Sequence, residues 1–282
     1  MPARDLGPVP ALGYAGPIDE HSMVRLDGDR ASDAEAAIAT EVPVAFAYAG
    51  RTHVVMMCTP ANLEDLAVGF SVTEGIVSAA NDVRHVDVVR HSRGIELQIE
   101  IPAADAERLA SRGRAISGRT GCGLCGVDAI DDVLREPTKV SSSFSLDTDA
   151  LWRAAASLDE RQPWNRETHA IHAAAWAEPS GELRVVREDV GRHNALDKVL
   201  GALAREHIEA STGFLVVTSR ASYELVLKAA VAGVALLAAV SRPTSLAIRL
   251  AEDVGVTLVG LLRGRTANVY AHRERLLAPS RS

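Results

Sequence analysis

The fold is decided by three apolar segments in the second half of the chain, Phe214-Leu-Val-Val-Thr218, Ala235-Leu-Leu-Ala-Ala-Val240 and Val256-Thr-Leu-Val-Gly-Leu-Leu262. Their residues are apolar without alternation, which is typical of strands that are buried on both faces of a sheet. Stretches of helix length connect the segments, so the strands should be parallel and joined by right-handed crossovers. The pattern predicts a three-layer α/β domain, which we place at residues 146–282.

The first half of the chain has the pattern of a smaller domain with mixed strands and helices. Two β-like runs, Val42-Pro-Val-Ala-Phe-Ala-Tyr48 and His53-Val-Val-Met-Met-Cys58, flank a glycine turn and predict a hairpin. A helix should follow, since Thr59 is a suitable N-cap and Pro60 is favoured in a first turn. Two strands and a second helix complete the domain, at residues 86–89, 95–101 and 104–112. We place this mixed β/α domain at residues 22–115, which makes the chain α+β overall.

Two segments lie outside these domains. Residues 1–21 are rich in Gly, Pro and charge and have too little apolar surface to pack, so we expect a disordered tail. Residues 116–145 begin with closely spaced glycines, and we expect a mobile cysteine loop followed by a connector. Within this segment, residues 129–134 should be helical, and the polar run Ser141-Ser-Ser-Phe-Ser145 should lead into the second domain.

The composition limits the class of protein. With 282 residues, of which 47% are hydrophobic, the chain can form two compact domains. A formal net charge of −7 argues against general binding to nucleic acid or to an anionic membrane. No signal peptide and no membrane helix of roughly eighteen apolar residues can be recognised, so we expect a cytoplasmic protein. Three cysteines are a poor disulfide framework, and reduced thiols are the working assumption.

Each apolar segment is followed by arginine, in Ser219-Arg220, Ser241-Arg242 and Arg263. The carboxyl ends of parallel strands share one edge of a sheet, where helix N-termini present free N–H groups to phosphate. Arginine adds bidentate hydrogen bonds to such an oxyanion, and Gly260 and Gly264 allow close approach of the backbone. The sequence therefore predicts a site for a diphosphate, as in a nucleotide. The alternative is that these arginines are solvated and pair with nearby acidic residues.

The most reactive groups are Cys122 and Cys125, in the glycine-rich stretch Gly118-Arg-Thr-Gly-Cys-Gly-Leu-Cys-Gly126. A C-x-x-C pair serves as half of a zinc site, as a thioredoxin-like dithiol, or as a sulfur carrier that holds sulfane sulfur as a persulfide. A carrier needs a thiolate. Neighbouring arginines would lower the thiol pKa from its usual value of about 8.5, whereas Asp128, Asp131 and Asp132 would raise it, and the sequence leaves the net direction open. A zinc site would need further ligands. The histidines available for it are His169, His172 and His193.

A polar cluster at the start of a predicted helix is a further candidate site. Glu188-Asp189 and Arg192-His193-Asn194 precede an apolar helical face, so the aspartate is either an N-cap or part of a ligand site. His193 is the histidine of this cluster, and it is the first residue to test for a role in ligand binding. Two other residues have ordinary interpretations, a small buried hydrophobe for Cys58 and a solvated helix face for Lys228.

Five longer segments carry a more specific signal than the cysteine pair. They are Ala61-Asn-Leu-Glu-Asp-Leu-Ala-Val-Gly-Phe70 with Thr73-Glu-Gly75, Gly121-Cys-Gly-Leu-Cys-Gly126, Glu188-Asp-Val-Gly-Arg-His-Asn-Ala-Leu-Asp-Lys198, Ser219-Arg-Ala-Ser-Tyr-Glu224, and Pro243-Thr-Ser-Leu-Ala247. With these segments the chain resembles the FdhD family, the formate dehydrogenase accessory sulfurtransferases, from about Val42 to Leu277. The resemblance implies that sulfur is accepted from a cysteine desulfurase as a persulfide. The sulfur would pass to the molybdenum or tungsten bis(molybdopterin guanine dinucleotide) cofactor before its insertion into formate dehydrogenase.

The resemblance also implies roles for individual residues. Cys122 would be the persulfide carrier, assisted by Cys125, with no permanent metal and with a homodimer as the assembly. The family's cofactor-binding turn near the C-terminus corresponds to six residues, and the arginine-ended strands and the polar cluster add three more. The resulting cofactor site is Leu261, Leu262, Arg263, Gly264, Arg265, Thr266, Ser219, Arg220 and His193.

The C-terminal half of the family is similar in fold to cytidine deaminases, so deamination has to be considered as a second activity. Those enzymes need His-x-Glu, whereas the nearest match is His172-Ala-Ala174, so deamination is disfavoured. The segment Thr168-His-Ala-Ile-His172 departs from the glycine-rich turn of relatives, which leaves its contacts open. Besides the sulfurtransferase, the other hypothesis is a non-catalytic chaperone. Such a protein would bind the cofactor or the dehydrogenase and use its cysteines for contact or for zinc.

Overall fold

The computed structural model of the chain describes residue 13, residues 16–117 and residues 139–277. The strands in these ranges are β1 (Ile18–Asp27), β2 (Arg30–Ala39), β3 (Val42–Tyr48), β4 (Arg51–Cys58), β5 (His85–His91), β6 (Gly94–Glu100), β7 (Leu146–Asp147), β8 (His172–Ala177), β9 (Leu183–Asp189), β10 (Phe214–Val217), β11 (Leu236–Ala239), β12 (Thr257–Arg263), β13 (Thr266–Ala271) and β14 (Leu276–Leu277). The helices are α1 (Leu63–Thr73), α2 (Ala103–Ser117), α3 (Thr148–Leu158), α4 (Pro163–Thr168), α5 (Arg192–Arg205), α6 (Tyr223–Val231) and α7 (Ser245–Val254).

The C-terminal domain is built on a six-stranded sheet in the order β13-β12-β11-β10-β8-β9. Strands β10, β11 and β12 are parallel, as their apolar sequences predict, and the connections between them run through α6 and α7. The outer strands β8, β9 and β13 are each antiparallel to a neighbour. The sheet is therefore mixed, with a parallel centre that is buried on both faces.

Alternate residues of the central strands supply two cores, one on each face of this sheet. Leu215 and Val217 of β10 pack with α5, α6 and α7, whereas Phe214 and Val216 pack with α3. This alternation follows from the pleat of a strand, in which successive side chains point to opposite faces. The predicted three-layer α/β arrangement is confirmed, while its likeness to the cytidine deaminase fold stays a prediction.

The N-terminal domain is a four-stranded sheet in the order β4-β3-β6-β5, with α1 and α2 packed on its core. The predicted hairpin, the two later strands and the second helix are all present. Phe46 of β3 and Phe70 of α1 meet at the centre of this core, with ring centroids 4.6 Å apart. The predicted start of the first helix is wrong, because α1 begins at Leu63 and its N-cap is Asn62. The polar atoms of Thr59 bind to the other domain instead.

The position of the first strand also differs from expectation. We expected a disordered tail up to His21, but β1 begins at Ile18 and pairs with β2 along ten residues. Pairing satisfies the backbone groups that the two strands turn toward each other, although none of the side chains in either strand is buried. The cysteine stretch and the helix predicted at residues 129–134 lie outside the described residues. Residues 139–145, where we expected a connector, contain no regular element.

The two domains meet where α1 crosses α5, and the crossing is exceptionally close. A Cβ atom on Gly69 would lie 1.9 Å from the backbone oxygen of Asp197, and one on Gly201 would lie 1.8 Å from that of Asp65. Only glycine fits at both positions because the opposing atoms are backbone. We call this contact the domain seam. Its glycines and charged residues are Asp65, Gly69, Glu74, Arg187, Asp189, Asp197, Lys198, Gly201, Arg205 and Lys228.

Within the described ranges, no helix is both long enough and apolar enough to cross a membrane.

Candidate functional site

The polar loops of the C-terminal domain gather at one edge of its sheet. Strands β9 and β10 run in the same direction because both are antiparallel to β8. The loops that follow β9, β10, β11 and β12 therefore emerge together. An arginine stands at or just after the end of each of these strands, and we call this part of the surface the arginine edge. Its arginines are Arg192, Arg220, Arg242 and Arg263.

The arginines that follow the parallel strands are available to a ligand. Arg220, Arg242 and Arg263 are exposed, and none of them forms an ion pair with an acidic residue of the described ranges. This arrangement disfavours the alternative that they pair with nearby carboxylates. Arg265 is different, because its Nη2 lies 2.6 Å from Oδ1 of Asp149 on α3. A ligand that used Arg265 would have to share it with that carboxylate.

The turn from β12 to β13 contains the predicted cofactor-binding residues and is irregular. The register between the two strands shifts between residues 260 and 263, and Leu261 has a φ of 53°. The N–H of Leu261 donates to the carbonyl of Ser241, which joins this turn to the loop after β11. The irregular backbone turns Leu262 into the core, where it is 1% exposed, and leaves Arg263 outside. Leu262 therefore offers a ligand its backbone and not its side chain.

Glycine is required at positions 260 and 264 of this region for different reasons. Gly264 has a φ of 55° and no atom near its missing side chain, so it provides a left-handed turn at the surface. A Cβ on Gly260 would lie 2.8 Å from Pro243 and 3.0 Å from Tyr270. The space that we expected at Gly260 for a ligand is thus taken by the chain itself.

His193 and Ser219 both belong to the arginine edge, but only His193 faces outward. The Nδ1 atom of His193 lies 3.2 Å from Oε2 of Glu224, and its Nε2 atom lies 3.3 Å from Oγ of Ser222. Burial, and then the charges of Arg192 and Lys228, lower the pKa of His193 to about 4, so the ring is neutral near pH 7. Ser219 is buried and its hydroxyl donates to the carbonyl of Arg220.

His172, at the start of β8, lies at the same edge. Its pKa is lowered by burial and then by the charges of Arg192 and Arg220. His169 lies apart from this group, at the C-cap of α4 with a φ of 53°. The described part of the chain contains no group of three or more residues that would bind a metal. Cys122 and Cys125, the predicted carrier pair, lie outside it.

Asp189 has a structural role that the sequence left undecided. It ends β9, and the N-cap of α5 is Gly191, so Asp189 is not the helix cap. Its buried carboxylate accepts from Lys198 Nζ at 2.6 Å and from the backbone N–H of Thr59 at 3.0 Å. Asn194 donates to it as well, at 3.0 Å. The carboxylate is therefore occupied inside the domain seam.

Lys228 was predicted on a solvated face, and this prediction is wrong. Its residue is 1% exposed, and Nζ donates to Asp197 at 3.0 Å, to Glu74 at 2.8 Å and to Thr73 at 2.9 Å. The prediction failed because these partners lie on α1 and α5, far away in sequence. The prediction for Cys58 is confirmed, since the residue is buried, and burial raises the pKa of its thiol.

The sequence of this chain matches a known protein family along most of its length. The model of the FdhD/NarQ family matches residues 39–277. A protein named Sulfur carrier protein FdhD from Xanthomonas euvesicatoria pv. vesicatoria is 53% identical over 249 residues, which is 88% of this chain and 89% of that one. The protein of the same name from Cupriavidus necator is 51% identical over 239 residues, which is 85% of this chain and 83% of that one.

A solved structure supports the fold. The crystal structure of a proposed formate dehydrogenase accessory protein from Desulfotalea psychrophila superposes with a TM-score of 0.72. The match covers 92% of this chain and 99% of that one, at 24% sequence identity. At that identity the superposition supports the architecture of both domains and carries no information about activity.

Proposed function

The chain belongs to the FdhD/NarQ family, and we propose that it is a sulfur carrier that supports the maturation of a formate dehydrogenase. The observation that carries the proposal is the 53% identity to a sulfur carrier protein along nearly the whole of both chains. The matched range, residues 39–277, includes the C-x-x-C pair at Cys122 and Cys125.

The carrier step that we propose is a transfer between two thiols. The thiolate of Cys122 attacks the outer sulfur of a persulfide on a cysteine desulfurase. A sulfur–sulfur bond forms on Cys122, the one in the donor breaks, and the donor cysteine leaves as a thiolate. Cys125 assists release, since its thiolate can attack Cys122 and set free hydrosulfide as a disulfide forms between the pair. These steps make the protein a sulfurtransferase.

The arginine edge is the proposed receiving site. Its substrate would be the molybdenum or tungsten bis(molybdopterin guanine dinucleotide) cofactor, whose diphosphate groups suit guanidinium donors. Two observations support the fit: Arg220, Arg242 and Arg263 share an edge, and none has an acidic partner in the described ranges. The side chains and backbone groups that we assign to binding are those of Ser219, Arg220, His193, Leu261, Leu262, Arg263, Gly264, Arg265 and Thr266.

Sulfur labelling tests the carrier. The protein is incubated with a cysteine desulfurase and cysteine labelled with ³⁵S, and the labelled peptide is identified by mass spectrometry. We expect label on Cys122 of the wild type and none on Cys122→Ala, while Cys58→Ala is a control because Cys58 is buried. If Cys122→Ala takes up as much sulfur as the wild type, or if neither loop thiol is labelled, the carrier proposal fails and the non-catalytic chaperone is favoured.

The partners follow from the same proposal. They are a cysteine desulfurase as sulfur donor, the cofactor as acceptor and a formate dehydrogenase as the recipient of the cofactor. We propose that the protein is a homodimer and that it binds these partners in the cytoplasm. Sedimentation of the purified chain tests the dimer, and metal analysis of the same sample tests zinc.

A further inference from the structure

Three side chains at the arginine edge form a hydrogen-bonded series, of which the proposed sulfur transfer uses only His193, for binding the cofactor. Ser222 Oγ lies 3.3 Å from Nε2 of His193, whose Nδ1 lies 3.2 Å from Oε2 of Glu224. A hydroxyl, an imidazole and a carboxylate in this order are the arrangement in which a base activates a serine and a carboxylate orients the base.

The serine is not used in the way its position predicts. Ser222 is the N-cap of α6, where a serine hydroxyl ordinarily accepts a hydrogen bond from the first turn of its own helix. No such cap bond is present, and the hydroxyl lies against His193 instead. The neutral imidazole can donate from Nδ1 to Glu224 and accept the serine proton at Nε2. The groups that set its charge state come from α5, α6, β8 and the C-cap of α1, and they are Arg192, Lys228, Glu224, His172 and Glu74.

We propose that Ser222, His193 and Glu224 form a second reactive centre, in which Ser222 is a nucleophile toward an ester or thioester that carries an anionic group. Ser222 Oγ bonds to the acyl carbon as the bond from that carbon to the leaving group breaks. His193 takes the hydroxyl proton and gives it to the leaving alcohol or thiol. Water then attacks the acyl-serine with His193 as base, which restores the hydroxyl and releases the carboxylic acid.

The surroundings of the series specify the class of substrate. Arg192 directly precedes His193 and Arg220 lies two residues before Ser222, and neither pairs with an acidic residue of the described ranges. The Nε of Arg192 is buried and has no hydrogen-bond partner there. A negative group on the substrate would satisfy these donors. Access is open, because the side chains of His193 and Glu224 are 28% and 43% exposed.

Labelling of the full-length wild-type protein is the primary test. The protein is treated with a fluorophosphonate, which reacts with activated serines, and the adduct is mapped by peptide mass spectrometry. We expect the adduct on Ser222. No adduct, or an adduct only on other residues, would overturn the proposal. This readout does not depend on sulfur loading, so the two proposals can fail independently.

Variants then assign the roles. Ser222→Ala should give no adduct, and His193→Gln should lower the labelling rate constant at least about 100-fold. Glu224→Gln should lower it about tenfold or more, since it acts by orienting His193. Circular dichroism of each variant confirms that it is folded. An unchanged rate in folded His193→Gln would contradict the proposal.

Two matched controls should label like the wild type. Ser245→Ala removes an exposed serine at the start of α7, on the same edge. His272→Gln removes a histidine that pairs with Glu274 at 3.0 Å in a region without this serine. Substrate class is tested with p-nitrophenyl succinate, an anionic ester, against p-nitrophenyl acetate, and each rate is taken as the increase over the same ester without protein, because the succinate carboxylate also attacks its own ester. The anionic ester should react faster and Arg220→Ala should abolish the difference, whereas equal rates in the wild type would overturn the assigned class.

Discussion

The domain seam and the arginine edge both contain charged side chains, but the lysines of the seam are buried and paired, whereas the arginines that follow the parallel strands at the edge are exposed and unpaired within the described residues. In the seam, Lys198 and Lys228 are fully buried and each has a carboxylate within 3.0 Å. At the edge, Arg220 and Arg263 are exposed, and no acidic residue of the described ranges pairs with them. Buried charges are tolerated only when they are paired. Two pairs of the seam cross between the domains, since Lys228 binds Glu74 at 2.8 Å and Arg187 binds Asp65 at 2.8 Å. The unpaired cations of the edge cost little in water and remain available to an anionic ligand.

The largest effect should come from closing the gap between α1 and α5. Gly201→Ala places a Cβ 1.8 Å from a backbone oxygen, which cannot move without displacing a helix. We expect a loss of more than about 4 kcal/mol in the free energy of unfolding, measured by urea denaturation. Ala204→Gly, on the same helix, is the control and should cost only about 1 kcal/mol through helix propensity. An unfolding midpoint equal to the wild type for Gly201→Ala would contradict the close crossing.

Removal of a single charge from the seam should have the next largest effect. Lys228→Met leaves Asp197 buried without its partner, at a cost of about 3–5 kcal/mol. Burial already raises the pKa of Asp197, and loss of the lysine raises it further. The folded state then binds the proton more tightly than the unfolded state, so the deficit should shrink as the pH falls.

Urea denaturation at pH 8 and at pH 5 measures this dependence. Lys139→Met, which removes an exposed lysine, should change stability by less than about 0.5 kcal/mol at either pH. A deficit in Lys228→Met that grows on acidification would show that Asp197 is not the group left unpaired.

Changes at the edge should alter binding and leave stability alone. Arg220→Ala and Arg263→Ala should each weaken the binding of guanosine diphosphate by about 1.5–3 kcal/mol, a factor of roughly 10 to 150 in Kd. Isothermal titration calorimetry measures the affinity, and urea denaturation should show unfolding within about 0.5 kcal/mol of the wild type. Arg249→Ala, an exposed arginine on α7, is the control. Unchanged affinity in both edge variants would remove the anion site.

The smallest effect is expected at Arg265. This residue has an acidic partner, as the lysines of the seam do, but it is exposed, as Arg220 and Arg263 of the edge are. Its side chain is 71% exposed, so its ion pair with Asp149 should contribute less than about 1 kcal/mol to stability. If Asp149 competes with the ligand for Arg265, Asp149→Ala should strengthen the binding of guanosine diphosphate severalfold. Weaker binding in Asp149→Ala would show that the pair positions the arginine for the ligand.

The edge was predictable from the sequence, and the seam was not. Three apolar runs specify parallel strands, and parallel strands bring Arg220, Arg242 and Arg263 to one edge whatever the details of packing. The burial of Lys228 depends on where α1 comes to lie against the C-terminal domain, and no periodicity in its own helix reports that. The same holds for Thr59, whose pattern is that of an N-cap but whose atoms bind Asp189 and Val190.

The contacts of Ser222 and Glu224 at the edge were not predicted from the sequence. Ser222 and Glu224 stand in a segment that carried the family resemblance, but their contacts with His193 join the loops after β9 and β10. The signal that would have found them is the sheet order, which places β8 between those two strands. Leu262 was assigned to the ligand because the family's cofactor-binding turn includes it, whereas the irregular backbone at Leu261 directs its side chain inward.

The glycine crossing at the seam has a consequence for how such proteins can be recombined. Gly69 and Gly201 lie in different halves of the chain, and each accommodates the backbone of the other's helix. A chimaera that takes its first half from one relative and its second half from another keeps the crossing only if both parents have glycine there. The seam charges must also match, because Asp65 of the first half pairs with Arg187 of the second. The exchangeable unit is therefore the pair of domains, and neither half is a module on its own.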